Sequence, residues 1–195
     1  MLAIFKREFK SYFQNVIGWL FVAALLAVYG LYFYVYNLKN GYPYISYDLK
    51  GIGFIMMIAV PILTMRSLSD EKKTKTDQLM LTSPVSVGRI VAGKYLAMAA
   101  VYTIDIALFA LSPLVLSIYG KVALSEAYVA LFGYWLYGLS CIAVGLFISS
   151  ISERVIISAI LTFAALFLSY MMQSITGLIS SSGNLLRKVL NCFDL

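Results

Sequence analysis

The chain has no histidine and only two cysteines in 195 residues. The first absence removes the commonest general base and the commonest zinc and haem ligand together. Cys141 lies in an apolar run and Cys192 in a polar tail, which excludes a disulfide framework. Charge is scarce as well: 12% of residues are charged, against about 25% in soluble domains. Hydrophobic residues fill the gap at 62% of the chain. One water-soluble core of this length cannot hide so much apolar surface, whereas a bilayer accepts it directly. The composition therefore predicts an all-α, polytopic membrane bundle forming a single domain over residues 1–195.

A helix crosses the hydrocarbon core with about 20 apolar residues. Five stretches qualify, at about 16–36, 50–66, 95–119, 127–150 and 155–177. The second holds only fifteen uncharged residues, Gly51 to Met65, between Lys50 and Arg66. Snorkelling of those two side chains lengthens it enough to cross. With five crossings, ten basic residues share one side: Lys6, Arg7, Lys10, Arg66, Lys72, Lys73, Lys75, Arg89, Lys94 and Arg154. Five share the other: Lys39, Lys50, Lys121, Arg187 and Lys188. The positive-inside rule then places the amino terminus in the cytoplasm and the tail 178–195 outside. In that tail, residues 184–190 read either as a short interfacial helix or as a frayed polar end.

Ahead of the first span, Leu2, Phe5, Phe9 and Tyr12 recur at helical spacing, with Lys6, Arg7, Lys10 and Gln14 on other faces. Residues 2–14 are thus an amphipathic helix suited to the membrane surface. The apolar run behind it exceeds a secretory leader in length and is read as a span.

The longest hydrophilic stretch is the loop 67–93. Its mixed charges lead into Leu79-Met80-Leu81 and then Pro84, which reads either as a short surface helix with one apolar side or as a solvated link between two spans. Gly88-Arg89-Ile90-Val91-Ala92-Gly93-Lys94-Tyr95 imitates a phosphate loop but ends on Tyr95, where magnesium binding needs Ser or Thr. Gly93 is read instead as a helix-packing residue and Lys94 as an interface anchor. Within the spans Asp105 is the ionisable residue to explain, since an aspartate at a span centre costs about 2.5–3.5 kcal/mol. It reads as a substrate or subunit-interface contact, or as a hydrogen-bonded packing residue. Pro61 and Pro113 are expected to kink their spans. Gly133, Gly138 and Gly145 suit close helix packing, the last two sharing one face. Tyr29, Tyr32, Tyr34, Tyr36, Tyr42 and Tyr44 form an outer aromatic belt. One buried carboxylate without histidine gives no catalytic constellation, so the chain is not expected to be an enzyme.

Glu71-Lys72-Lys73-Thr74-Lys75-Thr76-Asp77-Gln78-Leu79-Met80-Leu81-Thr82-Ser83-Pro84-Val85-Ser86, followed by Gly93-Lys94, resembles the cytoplasmic loop of type-2 ABC export permeases. Ala143 to Arg154 is similar to the turn between that family's fourth and fifth spans, and residues 2–14 resemble its elbow helix. The nearest likeness is to the group that includes gliding-motility-associated and copper-maturation permeases. Two departures stand out. Many members carry Gly-Thr at Lys75-Thr76, and the family normally has six spans, so this chain reads as a short form or a truncated one. The resemblance implies a permease subunit of the prokaryotic cytoplasmic membrane, surrounded by lipid, that exports an unnamed substrate. It implies a cytoplasmic ATPase partner in two copies, which holds the ATP and magnesium, and a second permease half, identical or homologous. No cofactor, metal or nucleic acid is implied for this chain. It also implies a coupling helix in which Leu79 and Met80 give apolar contact to the ATPase. By the same resemblance Glu71, Lys72, Lys73 and Thr76 would orient it, and Thr82, Ser83 and Pro84 belong to the same coupling stretch. The alternative reading is a non-transporting scaffold subunit of an envelope complex.

Overall fold

Long apolar runs with few breakers dictate helices, and in the computed structural model the described residues form helices joined by short turns. Residues 2–42, 44–69, 72, 86–119 and 123–179 are described. In chain order these are α1 (Leu2–Gln14), α2 (Val16–Tyr32) with a π-helical continuation (Phe33–Lys39), α3 (Ser46–Thr64) and α4 (Val87–Phe109). Then come α5 (Ser112–Tyr119), α6 (Leu124–Ile151) and α7 (Val155–Ile179). Five stretches are long and apolar enough to cross a membrane: Val16–Lys39, Ser46–Thr64, Val87–Ile118, Leu124–Ile151 and Val155–Met172.

Helix α3 is the axis of the bundle and packs against α2, α6 and α7, while α4 packs on α2 and α6. Its residues Ile52, Met56, Met57, Val60 and Leu63 are fully buried. The outside is as apolar as the inside. Val16, Leu31, Val129, Phe132, Phe147, Ile156, Ile160 and Leu168 all project from the bundle. In water that surface would aggregate; in lipid it is solvated. This is a multi-pass membrane protein.

The amphipathic α1 turns into α2 at Asn15, whose backbone is extended. Three features stiffen the corner. The Trp19 indole donates to the Phe13 carbonyl at 2.9 Å, and Phe5, Phe9 and Phe13 stack along one face. Gly18 meets the Tyr12 backbone so closely that an added Cβ would sit 2.5 Å from the carbonyl oxygen. Helix α1 then runs against the first half of α4.

The prolines act differently from each other. Helix α3 continues through Pro61, and Met65 N–H still reaches the Pro61 carbonyl at 2.9 Å. Pro113 sits at the start of α5, where its missing N–H costs nothing, and the chain breaks at Ala110–Leu111. Tyr29 departs from the expected aromatic belt. It is buried, stacked on Phe109 at 4.1 Å and bonded to Ser112. Its place one turn inside the end of α2 puts it in the core rather than at the boundary, whereas Tyr34, Tyr42 and Tyr44 are exposed.

Candidate functional site: the root of the polar loop

Of the residues expected to contact an ATPase, Lys72 lies among the described ones. Glu71, Lys73, Thr76, Leu79, Met80, Thr82, Ser83 and Pro84 lie outside them. The structure does describe how the loop leaves the bundle and how it returns.

The departing arm begins where α3 ends. Ser67 N–H closes a turn on the Thr64 carbonyl at 3.0 Å. The next two backbone N–H groups, of Leu68 and Ser69, both donate to Ser149 Oγ, at 3.2 and 3.3 Å. The Ser69 hydroxyl lies 3.1 Å from both the carbonyl oxygen and the hydroxyl of Ser149. Lys72 Nζ then donates to the Ser150 carbonyl. A single buried serine near the end of α6 thus holds the first residues of the loop. One turn earlier on α6, Gly145 makes the approach feasible. A Cβ there would lie 2.5 Å from Thr64 Oγ1, so any larger residue would push α3 away from Ser149.

The returning arm re-enters as α4 at Val87, several residues before the expected start of the span at Tyr95. Gly88 to Tyr95 is therefore helical, which a phosphate loop is not. Lys94, read as an interface anchor, is buried. It is 2% exposed, because α1 folds over this part of α4. Its Nζ donates to the Ser67 carbonyl at 2.9 Å and lies 3.4 Å from Glu8 Oε1 on α1. Glu8 also pairs with Arg7 at 2.8 Å. Gly93 permits the crossing, since its added Cβ would meet the Ile4 side chain at 3.0 Å.

Deeper on α4, Asp105 is fully buried, and neither carboxyl oxygen has a hydrogen-bond partner among the described residues. Tyr102 and Tyr134 lie within electrostatic reach of it. Tyr102 is committed elsewhere, donating to the Tyr134 carbonyl at 2.7 Å, and the Tyr134 hydroxyl is buried with no hydrogen-bond partner among the described residues.

The polar loop between the second and third spans is thus rooted by buried bonds to α6 and α4. Residues 32–194 match the family described as ABC-2 family transporter protein. The chain belongs to that family. No curated protein and no solved structure matches it. Membership makes the chain a membrane permease subunit of an ABC transporter, a component of transport machinery that works with an ABC ATPase subunit.

Within this permease the described ones among the sequence-predicted residues, Lys72, Asp105, Gly138 and Gly145, do not meet in one place. Lys72 belongs to the loop root, while Asp105 sits in the bundle interior. Gly138 and Gly145 face different partners: Gly138 lies under the Tyr102 ring, and Gly145 lies against Thr64. Gly133 faces open space. Four participants were not singled out for these roles by sequence: Glu8, Ser67, Ser69 and Ser149. Ser149 did fall in the Ala143–Arg154 stretch that resembles the family's turn, but serine in a span carries no mark of which backbone it will bind. The buried Asp48, which accepts from Asn37 across the turn after the π-helical segment, was also passed over. It lies just outside the charge-free run that defined the second span.

Proposed function

We propose that this permease couples ATP hydrolysis by a separate cytoplasmic ATPase to outward transport, with Glu71–Pro84 as the ATPase-docking segment. Leu79 and Met80 supply the apolar contact, and Glu71, Lys72, Lys73, Thr76, Thr82, Ser83 and Pro84 orient the segment. The observation that carries this reading is the Ser149 clamp. Force applied to a docked segment needs a stiff path into the spans, and backbone donors of Leu68 and Ser69 held by one buried hydroxyl supply it. Loops that merely link spans run solvated over the surface and have no need of such bonds.

In this reading the amino terminus and the loop 67–93 face the cytoplasm of a prokaryotic cell, as the basic residues favour. Two ATPase copies hold ATP and magnesium, and a second permease half, identical or homologous, completes the pathway. The finer kinship is with the permease group associated with gliding motility and copper maturation. Asp105 contacts substrate or the second half in a conformation other than this one. A carboxyl group buried without a described hydrogen-bond partner costs free energy in this state, and a state that supplies a partner recovers it.

The decisive experiment replaces Leu79 and Met80 by Asp in the complex reconstituted with its ATPase. Loss of stimulated ATP hydrolysis and of co-purification is expected. Hydrolysis and co-purification unchanged from the parent protein would reject the docking segment. An assembled complex that hydrolyses ATP but moves no solute would favour a scaffold subunit.

A further inference from the structure

The coupling segment has a second attachment besides Ser149, and it leads to α1. The Ser67 carbonyl belongs to the departing arm, Lys94 to the returning helix and Glu8 to the surface helix, and one ammonium touches all three. Burying an ammonium costs several kcal/mol unless its donors are matched. Lys94 at 2% exposure is therefore held in part by the Ser67 carbonyl and by Glu8. An interfacial helix held by its apolar face alone is free to slide, because hydrophobic contact is non-directional. A buried charge-assisted contact is directional, and it fixes α1 to the loop root.

We propose that Lys94 is a positioning residue that locks α1 to the Ser67–Lys72 arm, so that α1 is a driven element of transport and not a passive membrane anchor. Motion of the docked segment then has two outlets. One passes through Ser149 into α6. The other passes through Lys94 and Glu8 into α1, and across the stiff Phe13–Trp19 corner into α2. Two spans far apart in sequence receive one displacement in fixed proportion. This inference rests on the ATP-coupling reading only for the source of the motion; the lock itself is a property of the permease.

The test uses full-length permease with Cys141→Ala and Cys192→Ser, in lipid nanodiscs, with and without its ATPase. Spin labels at Lys10→Cys and Arg66→Cys, both exposed positions, report the distance between α1 and the loop root. A second pair, Arg66→Cys with Glu153→Cys, reports the link to α6. In the otherwise unchanged permease the first distance should be narrow and should stay fixed when ATP and vanadate are added. Lys94→Gln should broaden it severalfold and let it shift with nucleotide, while the second pair stays narrow. Glu8→Gln, nearer the surface and gentler on folding, should broaden it less, and Lys94→Arg should keep it narrow. Stimulated ATP hydrolysis should fall about tenfold in Lys94→Gln with co-purification intact, a barrier change of about 1.4 kcal/mol.

A Lys10–Arg66 distance as narrow in Lys94→Gln and Glu8→Gln as in the parent overturns the lock. So does a parent distance that moves on nucleotide binding. If no ATPase co-purifies with the parent protein, the coupling reading fails, and the nucleotide-free widths still decide the lock.

Discussion

Helix α4 buries two ionisable side chains of opposite sign, Lys94 and Asp105, about 16 Å apart along its axis at 1.5 Å per residue. Lys94 reaches a carbonyl and a carboxylate. Neither carboxyl oxygen of Asp105 has a hydrogen-bond partner among the described residues. The same helix, within the same bundle, thus ties one ionisable group into its architecture and leaves the other without a described bond. Asn37, Asp48, Ser67, Tyr134 and Ser158 also bury a polar atom without a described partner, but Asp105 leaves both carboxyl oxygens so.

The largest effect should come from breaking that contrast directly. Lys94→Met strips the buried Ser67 carbonyl of a donor and leaves Glu8 with Arg7 alone, a loss at the upper end of about 1–3 kcal/mol. Asp105→Asn replaces a carboxyl group whose oxygens no described hydrogen bond satisfies, so it should leave stability nearly unchanged. Thermal unfolding in one detergent checks both: a clear fall in Tm for Lys94→Met and none for Asp105→Asn. Equal falls would mean that Asp105 is as structural as Lys94.

Next in size is Gly145→Ala. Its methyl group would overlap Thr64 and move the end of α3 off Ser149, and overpacking of this kind costs about 1–3 kcal/mol. Loss of stability should come with loss of stimulated hydrolysis, because the same displacement opens the loop root. Ser149→Ala should cost less, about 1–2 kcal/mol, since two backbone donors lose an acceptor near the polar end of the bundle, where water can replace it. Hydrogen exchange at Leu68 and Ser69 would accelerate in that variant and stay slow in Asp105→Asn.

These cases also mark how far the sequence could be read. The run of apolar residues sets which segments become long helices, because only the helix satisfies its own backbone in lipid. The surface helix was equally legible, since Leu2, Phe5, Phe9 and Tyr12 leave one apolar face to bury. The burial of Lys94 is not legible, because a lysine at the head of an apolar run normally snorkels outward. What reverses that is α1 lying over α4, a contact between residues some ninety apart that no local pattern encodes. Tyr29 was misplaced for the same reason: its partners Phe109 and Ser112 come from a distant helix. Ser149 is harder still, for a hydroxyl in a span bonds its own helix by default, as Thr162 does with the Ser158 carbonyl. Local periodicity fixes which face is apolar; it does not say which distant backbone that face will meet.

The smallest effect, and the sharpest control, lies on α6. Gly133, Gly138 and Gly145 look alike in sequence, each a small residue in one long span. A Cβ on Gly138 would collide with the Tyr102 ring, and one on Gly145 with Thr64, whereas one on Gly133 would meet nothing within 4 Å. Glycine inside a helix costs about 0.5–1 kcal/mol relative to alanine through backbone entropy alone. Gly133→Ala should therefore stabilise by about that much and leave hydrolysis unchanged, while Gly138→Ala forces Tyr102 off the Tyr134 carbonyl and destabilises. Unfolding midpoints of the two variants should move in opposite directions. If both fall, Gly133 meets a neighbour outside this chain, and the second permease half would be the first place to look.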